Sequence, residues 1–297
     1  MTMTDPEVRP GSRPTASEPA AVRTGSIWRS AALNAVVTLG WFVLSVVSIA
    51  LLWQLAVQLM GLGSFGAKSP TQVLAFLLTD PDAAENRRPL VEALATTSQH
   101  AGLGFVSGVS VGLLLALGFV LVPLLERPLM PIILLTQSLP VLAVLPLFIL
   151  MLGRGYAVTV VITTLATFFP MFVMASQGLQ QVGGPQRDYF RSLDASSATT
   201  LLRLRIPSAV PFIFAALKVC VPSAMFGAIV SEWLATGDGL GYLMVNAAAS
   251  AGSYHTLWAA VGITTVVTMA TYTVLEVVEQ LALGRFAPEK VIGGQRG

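Results

Sequence analysis

DYFRSLDASSATTLLRLRIP, residues 188–207, is the one long polar stretch between apolar segments in the second half of this chain. Arg187, Arg191, Arg203 and Arg205 and the carboxylates Asp188 and Asp194 alternate there with Tyr189, Phe190, Leu193, Ala198, Leu201, Leu202 and Leu204. The spacing predicts two short amphipathic helices with a break near 194–196. A solvated connection between membrane spans would also be polar. That reading leaves unexplained why Tyr, Phe and several leucines stand at helical spacing.

The chain around this stretch is apolar. Of 297 residues, 54% are hydrophobic and only 11% charged, against about 25% charged in a soluble domain. Mean hydropathy is +0.74, and an integral membrane protein follows. The formal net charge of +2 says little. The single cysteine, Cys220, excludes an internal disulfide and a cysteine metal cluster. His100 and His255 lie far apart on different segments. They read as polar residues near span ends, and no metal site is expected.

Residues 1–28 are rich in Pro, Ser, Thr, Ala and Arg without apolar periodicity and read as a disordered cytoplasmic tail. A span near 32–56 follows, too long for a signal-peptide core. Residues 61–92 are more polar. Within them Gly61 to Ser69 superficially resembles a phosphate-binding loop, but Lys68 does not follow Gly66 directly, so no ATP site is expected in this chain. A second span lies between Glu92 and Glu126. Its Gly104, Gly108, Gly112 and Ala116 recur every four residues, a smooth face read as a close helix contact rather than a pore lining. The third, Pro128 to Gly153, is interrupted by Pro140 and Pro146, and the fourth, Tyr156 to Gln180, contains Pro170. Prolines inside spans read as packing kinks or as bends along a solute path. The fifth, Ala209 to Leu234, carries Lys218 and ends near Glu232, and the sixth lies near Leu257 to Val278. Residues 286–297 read as a cytoplasmic tail. Six spans put both termini on one side. Twelve of the 17 Lys and Arg residues then fall inside with residues 188–207, as the positive-inside bias requires.

The polar stretch resembles the cytoplasmic loop of the membrane subunits of binding-protein-dependent ABC importers. That loop reads Glu-Ala-Ala, three residues, Gly, nine residues, Ile, one residue, Leu-Pro. Asp188 stands at its Glu position, Tyr189 and Phe190 at the alanines, Asp194 at the Gly, and Leu204, Ile206 and Pro207 at the closing positions. Asp194 would turn the chain between two helices with positive φ. Ser138 to Leu147, Gly153 and Gly155, Phe168-Phe169-Pro170, and Gly239 to Leu243 after Glu232 are similar, in the same order, to stretches of the nitrate/sulfonate/taurine permease subfamily.

The resemblance implies an all-α permease of the type I importer fold, with a permease domain over 29–285 and a coupling loop over 186–207. It implies import of a small solute, an anion such as a sulfonate, taurine or nitrate, delivered by an external binding protein across a bacterial cytoplasmic membrane. Partners would be a second copy of the chain, two ATPase subunits and membrane lipid, without nucleic acid. ATP and Mg would belong to the ATPase, leaving this chain without a cofactor and without enzymatic activity of its own. The resemblance places Asp188, Tyr189, Phe190, Arg191, Leu193, Asp194, Ala195, Leu201, Arg203 and Pro207 at the ATPase contact. Tyr189, Phe190, Leu193 and Leu201 would occupy its groove. Pro140, Pro146, Pro170, Lys218 and Glu232 are the path candidates. For Lys218, a structural role, either snorkelling toward the cytoplasmic interface or reaching a carboxylate such as Glu276 or Glu279, is favoured over a role in the path. The alternative to an importer is an ion-coupled secondary transporter of small anions. The chain shows no internal repeat, and Lys218 is its single ionisable residue deep within a span, which argues against that class.

Overall fold

The computed structural model describes residues 24–286 except 139 and 251. The tails expected over 1–28 and 286–297 lie almost wholly outside the described residues. Every regular element among the described residues is helical.

Helix α1 (Thr24–Leu59) carries the first span. A tight turn over Leu62–Phe65 follows, bracketed by Gly61 and Gly66 at φ 63° and 87°. Then comes α2 (Pro70–Leu78), opened by a capping box in which the Gln72 N–H donates to Ser69 Oγ and the Ser69 N–H to Gln72 Oε1. The glycine-rich segment is therefore a helix-opening turn. A side chain at Gly66 would press on the Tyr254 ring, and the Gly66 carbonyl accepts from Trp258 Nε1 at 3.1 Å.

Helix α3 (Ala83–Leu121) has 39 residues, about 58 Å at 1.5 Å per residue. It starts earlier than the charge-free stretch, because a helix outside lipid tolerates Glu85, Arg87 and Arg88. The third span is interrupted at Pro140, as the sequence suggests, but not at Pro146. It consists of two helices, α4 (Glu126–Ser138) and α5 (Val141–Leu152), of 13 and 12 residues. Pro140 has no N–H to donate and its ring clashes with the preceding turn, so the chain stops one helix and caps the next there. Pro146 lies inside α5, whose spacing absorbs it as a local kink. Five helices among the described residues are long and apolar enough to cross a membrane, with shorter apolar pieces beside them.

Helix α6 (Tyr156–Gln180) contains Pro170 and is the hub of the bundle. It is followed by α7 (Gly184–Ser192), α8 (Ser197–Thr200) and a π-helical turn over Leu201–Arg205, which runs directly into α9 (Ile206–Ala235). After α10 (Gly239–Ala249), α11 (Tyr254–Phe286) closes the fold.

The core is the layer α3–α6–α9, with α11 and α1 packed outside it. The smooth face of α3 decides how close its helices come. A Cβ at Gly104 would run into Thr163, one at Gly108 into Thr167 Oγ1, and one at Gly112 would lie 2.7 Å from the Phe168 carbonyl. Thr167 Oγ1 in turn donates to the Gly104 carbonyl at 3.2 Å. The close-contact reading of these glycines is therefore the one the structure adopts. Phe119, Phe168, Met171, Phe172 and Leu179 fill the core beside this contact.

Candidate functional site

The polar stretch folds as a helix, a sharp turn and a second helix. Helix α7 ends in a Schellman motif: Asp194 N–H donates to the Arg191 carbonyl at 3.0 Å and Ala195 N–H to the Phe190 carbonyl at 3.1 Å. Asp194 sits at φ 48°, the described non-glycine residue with positive φ. The turn expected there is present, and aspartate is among the few side chains that tolerate it. Ser196 then caps α8 by accepting from the Thr199 N–H at 3.2 Å.

The loop presents one apolar face outward. Tyr189, Leu193 and Leu202 are 63%, 59% and 65% exposed. Tyr189 and Leu193 are four residues apart and share a helix face. Phe190 is half-buried and meets the Tyr189 ring edge-on at 6.2 Å. Asp188, Arg191 and Arg203 are exposed, Ala195 is half-buried, and Pro207 lies exposed in the first turn of α9. Leu201 corrects the sequence reading, which gave it to a partner groove. It is buried in the bundle core with Leu179 and Ala209, at the first position of the π turn. Leu201 therefore anchors the loop to the bundle, and Leu202 takes the outward place.

At the other end of α9 lies a polar cluster. Glu232 is completely buried, as are Thr97 and, but for 3%, His100 on α3. Glu232 Oε2 accepts from Thr97 Oγ1 at 2.8 Å and from the Gly241 N–H at 2.9 Å. Glu232 Oε1 pairs with His100 Nδ1 at 2.8 Å. Thr97 Oγ1 accepts from the Leu240 N–H at 2.8 Å. Asp238, at the N-cap of α10, makes no side-chain cap. The cap comes instead from α9 and α3, since two of the orphan N–H groups of α10 are met by Glu232 and Thr97. The run Gly239-Leu240-Gly241 follows from this. A Cβ at Gly239, whose φ is 86°, would strike the Glu232 carboxyl, and one at Gly241 would strike the Ile229 carbonyl.

The sequence singled out Glu232 but not its partners. The available signal was Thr97 and His100 three residues apart, which puts both on one face of an otherwise apolar helix.

Lys218 Nζ lies 2.6 Å from Glu279 Oε2, with both side chains largely buried, and 5.9 Å from the centre of the Tyr272 ring. This is the pairing role weighed for it above. Lys218→Met should leave Glu279 unpaired in an apolar setting, a loss of about 3 kcal/mol or more. The expected result is reduced yield of folded protein, recovered in Lys218→Met with Glu279→Met. Normal yield from the single variant, with solute transport alone lost, would assign Lys218 to the path.

The path candidates are spread along α5, α6 and α9. Pro140 separates α4 from α5, Pro146 and Pro170 lie in α5 and α6, and Lys218 and Glu232 occupy different stretches of α9. None of the five lines the apolar cavity of about 220 Å³ between α3, α9 and α11, which Ser98, Phe105, Met225 and Thr268 help to form.

The profile of a family described as binding-protein-dependent transport system inner membrane component matches residues 108–283, from the smooth face of α3 through the loop to α11. The chain belongs to that family. It is 30% identical over 197 residues to a "Probable ABC transporter permease protein" of Haemophilus influenzae, covering 66% of this chain and 78% of the relative. It is 29% identical over 191 residues to the formylaminopyrimidine transport permease ThiX of Halalkalibacterium halodurans, covering 64% and 74%. It is 24% identical over 149 residues to the nitrate import permease NrtB of Synechococcus elongatus, covering 50% and 53%. The protein is thus a permease subunit of a type I binding-protein-dependent ABC importer, of the nitrate/sulfonate-like branch. It is a multi-pass membrane protein, and a secondary transporter is set aside.

Proposed function

We propose that two copies of this permease enclose a path for a small anion, such as a sulfonate, taurine or nitrate, across the bacterial cytoplasmic membrane. Residues 186–207 face the cytoplasm with both termini, and an ATPase subunit docks on them. The observation that carries this reading is the outward apolar face of Tyr189, Leu193 and Leu202 on a loop whose Leu201 is held in the core. Such a face has no partner among the described residues, while its anchor ties it to the bundle. Asp188, Arg191 and Arg203 form the polar rim of the contact, and Phe190, Asp194 and Ala195 shape the turn. ATP and Mg are bound by the partner, and this chain contributes no hydrolytic group.

Helix α9 makes the loop a coupler. From Ile206 at the loop to the Glu232 cluster it rises about 39 Å at 1.5 Å per residue. A shift imposed on Pro207 is carried as a rigid-body motion to the far side of the membrane. There Glu232 ties α9 to α3 and α10, beside the surface a binding protein would meet.

The test is purification of the tagged permease from its native membranes, followed by reconstitution. A two-to-two complex with an ATPase is expected, with ATP-dependent uptake of nitrate or taurine when the cognate binding protein is added. A permease that purifies as a monomer, or uptake confined to a neutral heterocycle such as a pyrimidine, would overturn the corresponding part of the reading.

A further inference from the structure

Beside the coupling loop, at the end of α3, lies a cavity of about 410 Å³. Val120 and Leu121 of α3 form one wall, and Arg187, Arg191, Ala195, Ser197, Thr200 and Arg205 the other. Three guanidinium groups face one space. Arg187 and Arg191 are four apart on α7, hence on one face, and Arg205 closes the π turn opposite them.

No carboxylate lines this space. Asp188 stands three residues before Arg191 on α7 and so neighbours it, yet neither Asp188 nor Asp194 enters an ion pair among the described residues. The three guanidinium groups likewise make no ion pair or side-chain hydrogen bond among the described residues. The hydroxyls of Ser197 and Thr200 are also unpartnered there. Three arginines, each with five N–H donors, therefore line this cavity without an ion-pair partner among the described residues. The carbonyl end of α3 contributes about half a negative charge, far short of three positive ones. Like charges gathered this way repel, and an anion held between them lowers the repulsion.

The walls say where that anion comes from. Val120 and Leu121 belong to a membrane-crossing helix, and Leu124, just beyond, is 79% exposed. The cavity therefore opens at the end of that helix, where apolar surface gives way to polar. Its apolar wall suits acyl chains, and its guanidinium forks match phosphate oxygens in pairs.

We propose that this cavity is a binding site for the phosphate headgroup of an acidic phospholipid in the leaflet on the loop's side. The headgroup ties α7 to the start of α9 and to the end of α3, so a lipid sets the resting position of the coupling loop. The site shares Arg191 with the polar rim of the ATPase contact but not the outward side chains of Tyr189, Leu193 and Leu202.

The full-length permease is purified from membranes in mild detergent and equilibrated with mixed phosphatidylglycerol and phosphatidylcholine. Lipid retention is then read by native mass spectrometry. Phosphatidylglycerol should be retained in preference. Retention should fall roughly fivefold for each arginine removed, and on the order of a hundredfold in Arg187→Gln with Arg191→Gln and Arg205→Gln. Arg127→Gln removes a charge outside the cavity and should change retention by less than about twofold. Arg205→Gln alone keeps the test valid if the triple variant fails to insert. Equal retention of both lipids by the unaltered protein would overturn the proposal, as would unchanged retention in the arginine variants. Displacement of the lipid by millimolar inorganic phosphate would make the ligand a free anion. Displacement by the docked ATPase would give the site to that partner. Either result overturns the lipid assignment.

Discussion

Glu232→Ala is expected to destabilise the permease by about 3–5 kcal/mol, because it leaves three buried polar partners unmatched at about 1–3 kcal/mol each. The carboxylate holds His100, Thr97 and the Gly241 N–H together in a space without water access. Alanine strands all three and unties α10 from α9. Buried groups left unmatched lose their full desolvation penalty, so the effect exceeds that of an ordinary hydrogen bond. Glu232→Gln should be much milder, about 1 kcal/mol. Its amide oxygen can still accept from Thr97 and Gly241, and its NH₂ can donate to His100 Nδ1. SDS titration in mixed micelles compares the three proteins. Alanine and glutamine variants within about 0.5 kcal/mol of each other would mean that the cluster does not hold the helices. Because the cluster sits at the end of α9 remote from the loop, a folded Glu232→Gln protein also reports on coupling. Intact ATPase docking with impaired uptake is the expected pattern.

The second large effect lies at the loop. Tyr189→Ala with Leu193→Ala should abolish copurification of the ATPase and ATP-dependent uptake, while insertion and permease assembly persist. Both side chains are exposed, so their loss removes nothing from the bundle. Interface anchors of this kind contribute about 2 kcal/mol or more each. Two of them weaken docking by on the order of a thousandfold. Phe190→Ala differs, since Phe190 is half-buried and supports α7 itself. Asp194→Gly should retain the ATPase, because glycine takes a φ of 48° without strain. The measurement is the ratio of ATPase to permease recovered from the same membranes. A normal ratio for the double variant would remove the coupling role from this face. A lowered ratio for Asp194→Gly would give the Asp194 carboxylate a contact of its own.

Much of this molecule is legible in one dimension. Apolar run length places the spans, because a bilayer core of about 30 Å needs about 20 helical residues. Glycines every four residues announce the α3–α6 contact, since small residues on one face leave room for nothing but another backbone. Asp194 announces its turn because few residues accept positive φ, and the motif order from Pro140 to Gly241 carries the family. These are local properties or fixed spacings, and each survives without knowledge of any neighbour.

Other features depend on which residues meet across long separations. Thr97 and His100 lie 135 and 132 residues before Glu232, and nothing in their own surroundings marks them as the cap of α10. Leu201 and Leu202 are neighbours of the same type at the start of one π turn, yet one is core and the other surface. Lys218 could have faced a path or a carboxylate, and only the packing of α9 on α11 puts Glu279 within 2.6 Å. The gathering of Arg187, Arg191 and Arg205 around one cavity likewise needs α7, the π turn and the end of α3 in place together. Sequence determined the periodicity, the span lengths and the positions of the turns, which are set by backbone sterics and by transfer from water. Tertiary packing decided the partners of each buried charge, because an ion pair or a cap is chosen by distance in space and not by distance along the chain.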